Sequence, residues 1–94
     1  MEEKILTKHP EGKQGVNISR AKYEMVRLAI LEAIHSQGVI TFKGLVSLVE
    51  FSLRNRFEGS LPWYITTVKL DMEARGEIER LPGNGEQKIR LKRK

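Results

Sequence analysis

A regular hydrophobic pattern begins just after Ser19. From Tyr23 to Ile34, apolar residues recur every three or four positions, which is the period of a helix with one buried side. Ser19 is a favourable N-cap because its hydroxyl can accept a hydrogen bond from a free backbone N–H, and glycine, as at Gly38, often follows a helix end. The pattern predicts a first helix between Ser19 and Gly38. Its core positions are Tyr23, Val26, Ile30, Leu31, Ala33 and Ile34.

A short strand and a second helix are predicted next. Residues 39–41 are too few for a helix and two of them are β-branched aliphatics, so we interpret them as a brief strand. Thr41 then caps a helix predicted from Phe42 to about Asn55. Gly44 weakens this helix, which therefore depends on packing. Its apolar positions are Phe42, Leu45, Val46, Val49 and Leu53, with Leu48 at the margin.

The third helix is predicted between Ser60 and Gly76. Pro62 suits its first turn, where the missing N–H would have had no partner. Beyond Gly76, residues 77–81 and 87–92 are predicted strands, and the Pro-Gly-Asn-Gly turn at 82–85 joins them in a β-hairpin. The apolar positions on one side of the helix are Leu61, Ile65, Val68 and Met72.

Residues 1–18 show no sustained period and contain turn-forming Pro10, Gly12 and Gly15. We interpret them as an extended N-terminal arm preceding a domain of residues 19–94. Its apolar residues are available for docking on that domain; they are Ile5, Leu6, Val16 and Ile18.

The order helix, strand, helix, helix, strand, strand resembles the winged-helix family. This resemblance implies an α+β fold, in which a three-helix bundle with a short strand carries a C-terminal β-hairpin wing. The spacing Met72-x-x-x-Gly76-x-Ile78 is similar to the family's junction between the third helix and the wing. The sequence from Trp63 to Ile78, with His9-Pro10-x-Gly12 before it, resembles a small group of uncharacterised bacterial proteins. That closer resemblance implies the fold and no particular activity.

Positive charge is concentrated at the C-terminal end. The chain has a net charge of +5, and residues 77–94 hold six Lys or Arg against three Glu, or +3. Cations on a protein surface neutralise phosphates and give affinity independent of nucleotide sequence. Together with the resemblance, this predicts a transcription-related protein that binds double-stranded DNA, and a solvated basic strand face is the alternative. The candidate contacts are Arg80, Lys88, Arg90 and Lys92, followed by Arg93 and Lys94 in the tail.

The third helix is the element expected to enter the DNA groove. Thr66, Thr67 and Lys69 are its candidate contacts on the outer side. This set is poor in the Arg, Asn and Gln side chains that distinguish base edges. Asp71 and Glu73 would repel phosphates.

The outer side of the third helix also carries a second apolar stripe, formed by Trp63, Leu70 and Ala74. The N-terminal arm, a second subunit or nucleic acid could cover it. An apolar stripe of this kind usually marks an interaction surface. The alternative function is therefore a protein–protein interaction or homodimerisation module on a winged-helix scaffold, with no role on DNA.

No catalytic chemistry is evident in the sequence. Cysteine is absent, and neither His9 nor His35 has a partner at metal-ligand spacing. Gly83-Asn84-Gly85 is not followed by a helix, as a phosphate-binding loop requires. We therefore expect no enzyme activity, metal, cofactor or small-molecule substrate. The acidic start and the lack of a long apolar run predict a soluble cytoplasmic protein with no membrane partner.

Overall fold

The computed structural model describes residues 2–92, which contain three α-helices and two small antiparallel sheets. The elements in chain order are β1 (Lys4–Leu6), β2 (Asn17–Ser19), α1 (Arg20–Gln37), β3 (Val39–Thr41), α2 (Phe42–Leu53), α3 (Leu61–Ala74), β4 (Ile78–Arg80) and β5 (Lys88–Leu91). This architecture confirms the predicted α+β class.

The ends of α1 and α2 are fixed by the side chains that the sequence indicated. The Ser19 hydroxyl accepts a hydrogen bond from the Lys22 N–H at 3.3 Å, and the Thr41 hydroxyl accepts one from Gly44 at 3.0 Å. Gly38 follows α1 with a φ of 79°, a left-handed conformation that glycine adopts without a steric penalty. These local contacts begin and end the helices within a few residues of the predicted positions.

The three-stranded sheet joins the middle of the chain to its end. β5 lies between β3 and β4 and is antiparallel to both. Ile89 is the Cα partner of Ile40 on one side and of Arg80 on the other, and its side chain is fully buried. After α3, Gly76 turns the chain so that Met72 and Ile78 both enter the core.

All three helices and the sheet contribute to one hydrophobic core. α1 packs against both α2 and α3 and also contacts β5. Burying each of these aliphatic side chains contributes on the order of 1.5–3 kcal/mol relative to leaving it exposed. The fully buried apolar side chains include Val26, Ile30, Ile34, Leu45, Val49, Ile65, Val68, Met72 and Ile89.

The N-terminal arm forms a β-hairpin, a pairing that the sequence analysis did not predict. β1 and β2 are antiparallel, and beyond them the Thr7 N–H donates to the Val16 carbonyl at 2.9 Å. A Cβ at Gly15 would lie 1.7 Å from the Thr7 carbonyl oxygen, so this crossing requires glycine. The hairpin packs on α1 and buries Ile18, whereas Leu6 stays 60% exposed.

Candidate nucleic-acid interface

The outer side of α3 is open near its N-terminus and enclosed towards its C-terminus. Trp63 is 45% exposed and Thr66 is exposed, whereas Thr67, Leu70 and Ala74 are half-buried. The opposite side of the helix points into the core. The predicted contacts Thr66 and Thr67 therefore lie on the accessible N-terminal half of α3.

The N-terminal arm lies against this outer side. Residues 7–9 and 14–16 line a shallow cleft with Trp63, Thr67 and Leu70. Two residues of the second apolar stripe, Trp63 and Leu70, therefore lie beside the arm. The arm leaves the Trp63 ring partly open to solvent, and this ring packs edge-on against Tyr64 with centroids 5.0 Å apart.

Asp71 holds the arm on α3. One carboxylate oxygen accepts a hydrogen bond from the Lys8 backbone N–H at 2.8 Å, and the other accepts one from the Tyr23 hydroxyl. The Arg75 guanidinium pairs with the same carboxylate at 2.9 Å. Asp71 is fully buried and paired with Arg75, so the prediction that its charge would repel phosphates is wrong. A buried carboxylate is retained only where donors and an opposite charge surround it, and here they come from three elements.

The pKa values of Tyr23 and Arg75 are both raised in the surroundings of Asp71. Burial raises the pKa of the Tyr23 hydroxyl above its ordinary value, and the hydrogen bond to Asp71 raises it further. The hydrogen bond to Asp71 also raises the pKa of the Arg75 guanidinium. At physiological pH Tyr23 is neutral and Arg75 is charged, and both donate to Asp71.

Lys69 is not on the exposed surface of α3, contrary to the prediction. Its side chain is only 4% exposed, and its ammonium pairs with Glu73 at 3.0 Å. The same ammonium donates to the Gln87 side chain ahead of β5 and lies 5.3 Å from the centre of the Phe42 ring. Lys69 therefore balances the charge of Glu73 and joins α3 to the segment just before β5.

The wing, defined as β4, β5 and the turn between them, presents cations to solvent. Arg80, Lys88 and Lys92 are exposed and form no ion pair among residues 2–92. Arg90 is also exposed, but its guanidinium donates to Glu79 on the neighbouring strand at 2.7 Å. The predicted tail contacts Arg93 and Lys94 lie outside the described residues.

At the tip of the arm, Lys13 and Glu11 form an ion pair at 3.2 Å. The hydrogen bond and the charge of Lys13 lower the pKa of Glu11, and the charges of His9 and Arg80 make smaller contributions in the same direction. The two opposite charges at the arm tip thus offset each other.

A second exposed surface, on the other two helices, was missed in the sequence analysis. Met25 and Leu28 on α1 and Leu48 and Phe51 on α2 are all exposed. We call these four residues the α1–α2 patch. Its signal in the sequence is the spacing of three residues within each pair, which places both members on one helix face outside the core stripe. Leu48 was assigned only to the margin of the core.

Neither a metal cluster nor a membrane-spanning helix is evident in the described part of the chain. No group of three or more His, Cys, Asp or Glu side chains among residues 2–92 is arranged to hold a metal ion. None of the helices in that range has the length and apolar composition needed to cross a membrane.

Comparison with known families gives one match, which spans most of the chain. The model of a family of unknown function (DUF6958) matches residues 4–89. The matched region includes the arm, all three helices and the wing up to Ile89. No curated protein matches the chain.

Proposed function

The chain belongs to DUF6958, a family of unknown function, and we propose that it is a small winged-helix protein that binds double-stranded nucleic acid weakly through its wing. The observation that carries this proposal is the set of exposed cations on the wing without an ion-pair partner among residues 2–92. The open N-terminal end of α3 is the second contact in this proposal.

The winged-helix assignment is supported by topology. The order α1, β3, α2, α3, β4, β5 is the one that the resemblance implies, and β3 pairs with β5 beside the β4–β5 hairpin. The hydrogen bond between Lys69 and Gln87 attaches the wing to α3. In this arrangement the wing lies beside α3, the helix proposed to enter the groove.

The chemistry of this surface favours binding to the phosphate backbone over discrimination between bases. Lysine and arginine release counterions from a duplex, and each neutralised phosphate adds affinity independent of sequence. With Lys69 buried, the exposed predicted contact on α3 is Thr66, a short side chain that distinguishes bases poorly. We therefore propose weak, sequence-independent binding, in the non-specific range of about 10⁻⁶ to 10⁻⁴ M.

Fluorescence anisotropy with a random duplex, measured over a series of salt concentrations, tests this proposal. Three wing cations predict a slope of log K against log salt of about −2.7, from about −0.9 per neutralised phosphate. Lys88→Ala should make the slope less steep by about 0.9. Lys4→Ala, which removes an exposed cation from β1 outside the wing, should leave the slope unchanged.

Two outcomes would exclude the proposal. One is the absence of binding at low salt with protein at about 10⁻⁴ M, the weak end of non-specific binding. The other is an equal loss of affinity in Lys88→Ala and Lys4→Ala, because net charge alone would then account for the binding.

Protein–protein interaction is the second candidate function, and the α1–α2 patch favours it. The large apolar side chains of the patch, with Phe51 68% exposed, form a surface of the kind that marks interaction sites. This function does not need the wing. Association through the patch should persist at high salt, whereas binding through the wing cations should disappear.

A further inference from the structure

The α1–α2 patch is continuous across the two helices. Met25, Leu28 and Glu32 follow each other along one face of α1, and Leu48, Phe51 and Ser52 do so along α2. Two shallow grooves run between these rows, and both are lined by Ala29, Glu32 and Ser52. The small side chains of Ala29 and Ser52 lie between larger apolar neighbours, so the grooves can receive side chains from a second apolar surface.

The charges at the edge of the patch are of both signs. Glu32 and Arg56 line the same groove, and Arg54 lies over the Phe51 ring with its guanidinium carbon 4.7 Å from the ring centre. None of these three charges has an ion-pair partner within 4 Å among residues 2–92. Arg56 donates to the Ser52 carbonyl at 3.1 Å, and this contact holds its side chain beside the patch.

An apolar centre with both charges at its edge is complementary to itself. In a two-fold contact, if one residue of the first copy meets a second residue of the other copy, the reverse contact also forms. Glu32 and Arg56, which line the same groove, can therefore form two equivalent ion pairs across such a contact. A strongly acidic or strongly basic partner would pair with only one of these two residues. Charge complementarity therefore favours a second copy of this chain as the occupant.

We infer that the α1–α2 patch is a homodimer interface, in which the apolar residues of two copies pack together and Glu32 of each copy pairs with Arg56 of the other. This inference rests on the second candidate function and is independent of nucleic-acid binding. The patch is confined to two helices, so the interface is at the small end of specific contacts and the dimer is weak.

Sedimentation equilibrium over a range of protein concentrations tests the interface. The wild-type chain should rise from its monomer mass of 10.8 kDa towards twice that value. Phe51→Glu should raise the dissociation constant at least about tenfold, because it places a charge at the apolar centre. Leu6→Glu, at an exposed apolar residue on β1 outside the patch, is the matched control and should leave the constant unchanged.

Charge exchange distinguishes a homodimer from any other occupant. Glu32→Arg and Arg56→Glu should each be monomeric, because each creates like charges across the two-fold contact. Mixed in equal amounts, the two variants should form a heterodimer, since one copy then has two basic residues facing two acidic residues on the other. Circular dichroism of each variant should match the wild type, so that loss of association is separated from loss of folding.

The inference is overturned if the wild-type chain stays at its monomer mass up to about 10⁻⁴ M. It is equally overturned if the mixture of the two charge variants is no heavier than either alone. Dissociation by Leu70→Glu in place of Phe51→Glu would assign self-association to α3 and also exclude this interface. In the anisotropy assay, Phe51→Glu should bind the duplex with the affinity of the wild-type monomer. Exclusion of the dimer interface would therefore leave the nucleic-acid proposal unaffected.

Discussion

Replacing Asp71 with alanine should destabilise the protein strongly and release the N-terminal arm. The Asp71 carboxylate is fully buried and accepts hydrogen bonds from the Lys8 backbone, the Tyr23 hydroxyl and the Arg75 guanidinium. Alanine at this position leaves all three donors without their acceptor. The contact between the arm and α3 loses its central hydrogen-bond acceptor at the same time.

The expected loss of stability follows from the burial of the Asp71–Arg75 ion pair. Removing one partner of a buried ion pair costs about 3–5 kcal/mol. The Arg75 side chain is 32% exposed, so water can solvate it in part, and we expect the lower end, about 3 kcal/mol. For a domain of this size about 1 kcal/mol corresponds to about 4–8 °C, so the melting temperature should fall by about 12–24 °C.

The assay combines thermal melting with hydrogen exchange at single amides. Asp71→Ala should abolish the protection of the Lys8 amide, whose acceptor is removed. The Thr7 amide, which donates to the Val16 carbonyl within the arm, should keep more of its protection. This difference separates undocking of the arm from loss of its β-hairpin.

Glu79→Ala is the matched control for Asp71→Ala. Glu79 also binds an arginine Nε atom, that of Arg90 at 2.7 Å, but both side chains are at least about one-third exposed. Exposed pairs of this kind contribute about 1 kcal/mol or less. If Asp71→Ala lowers the melting temperature no more than Glu79→Ala does, burial of the Asp71 network does not stabilise the fold and the reasoning is refuted.

Two further predictions concern the same region. Because burial raises the pKa of Tyr23, its stabilising effect should be complete below about pH 10 and lost as pH rises above that value, where the unfolded chain ionises first. Urea unfolding between neutral and alkaline pH should therefore show a flatter decline in Tyr23→Phe, and an identical decline would contradict the assignment. Deleting residues 1–18 should lower the melting temperature by several degrees, since it removes the buried Ile18 side chain, whereas Leu6→Ala, at an exposed position, should change it little. An unchanged melting temperature in the deletion would show that the arm does not stabilise the domain.

The elements with local signals were predictable from the sequence. The caps at Ser19 and Thr41 use contacts three residues away, and Gly38 supplies a conformation that depends on that residue alone. The strand at residues 39–41 and the hairpin after Gly76 were predicted from composition and turn chemistry. Helical periodicity likewise identified the buried side of all three helices, because apolar spacing depends only on neighbours along the helix.

The surroundings of Asp71 and Lys69 were not predictable in this way. Both residues are polar and lie outside the apolar stripe of α3, so periodicity assigns them to solvent. Their partners lie far away in the sequence: Gln87 is 18 residues from Lys69, and Tyr23 and Lys8 are 48 and 63 residues from Asp71. The pairing of β1 with β2 was missed because three-residue strands are too short to show alternation. Only tertiary packing brings these groups together.

The contact between Lys8 and Asp71 also sets an order for events during synthesis. Its two ends are 63 positions apart in the sequence. Because a ribosome adds about 5–20 residues per second, Asp71 is synthesised about 3 to 13 seconds after Lys8. During that interval the arm can form its own hairpin but cannot dock on α3. The arm is thus synthesised well before its acceptor on α3, and it reaches its final place only after α3 has been made.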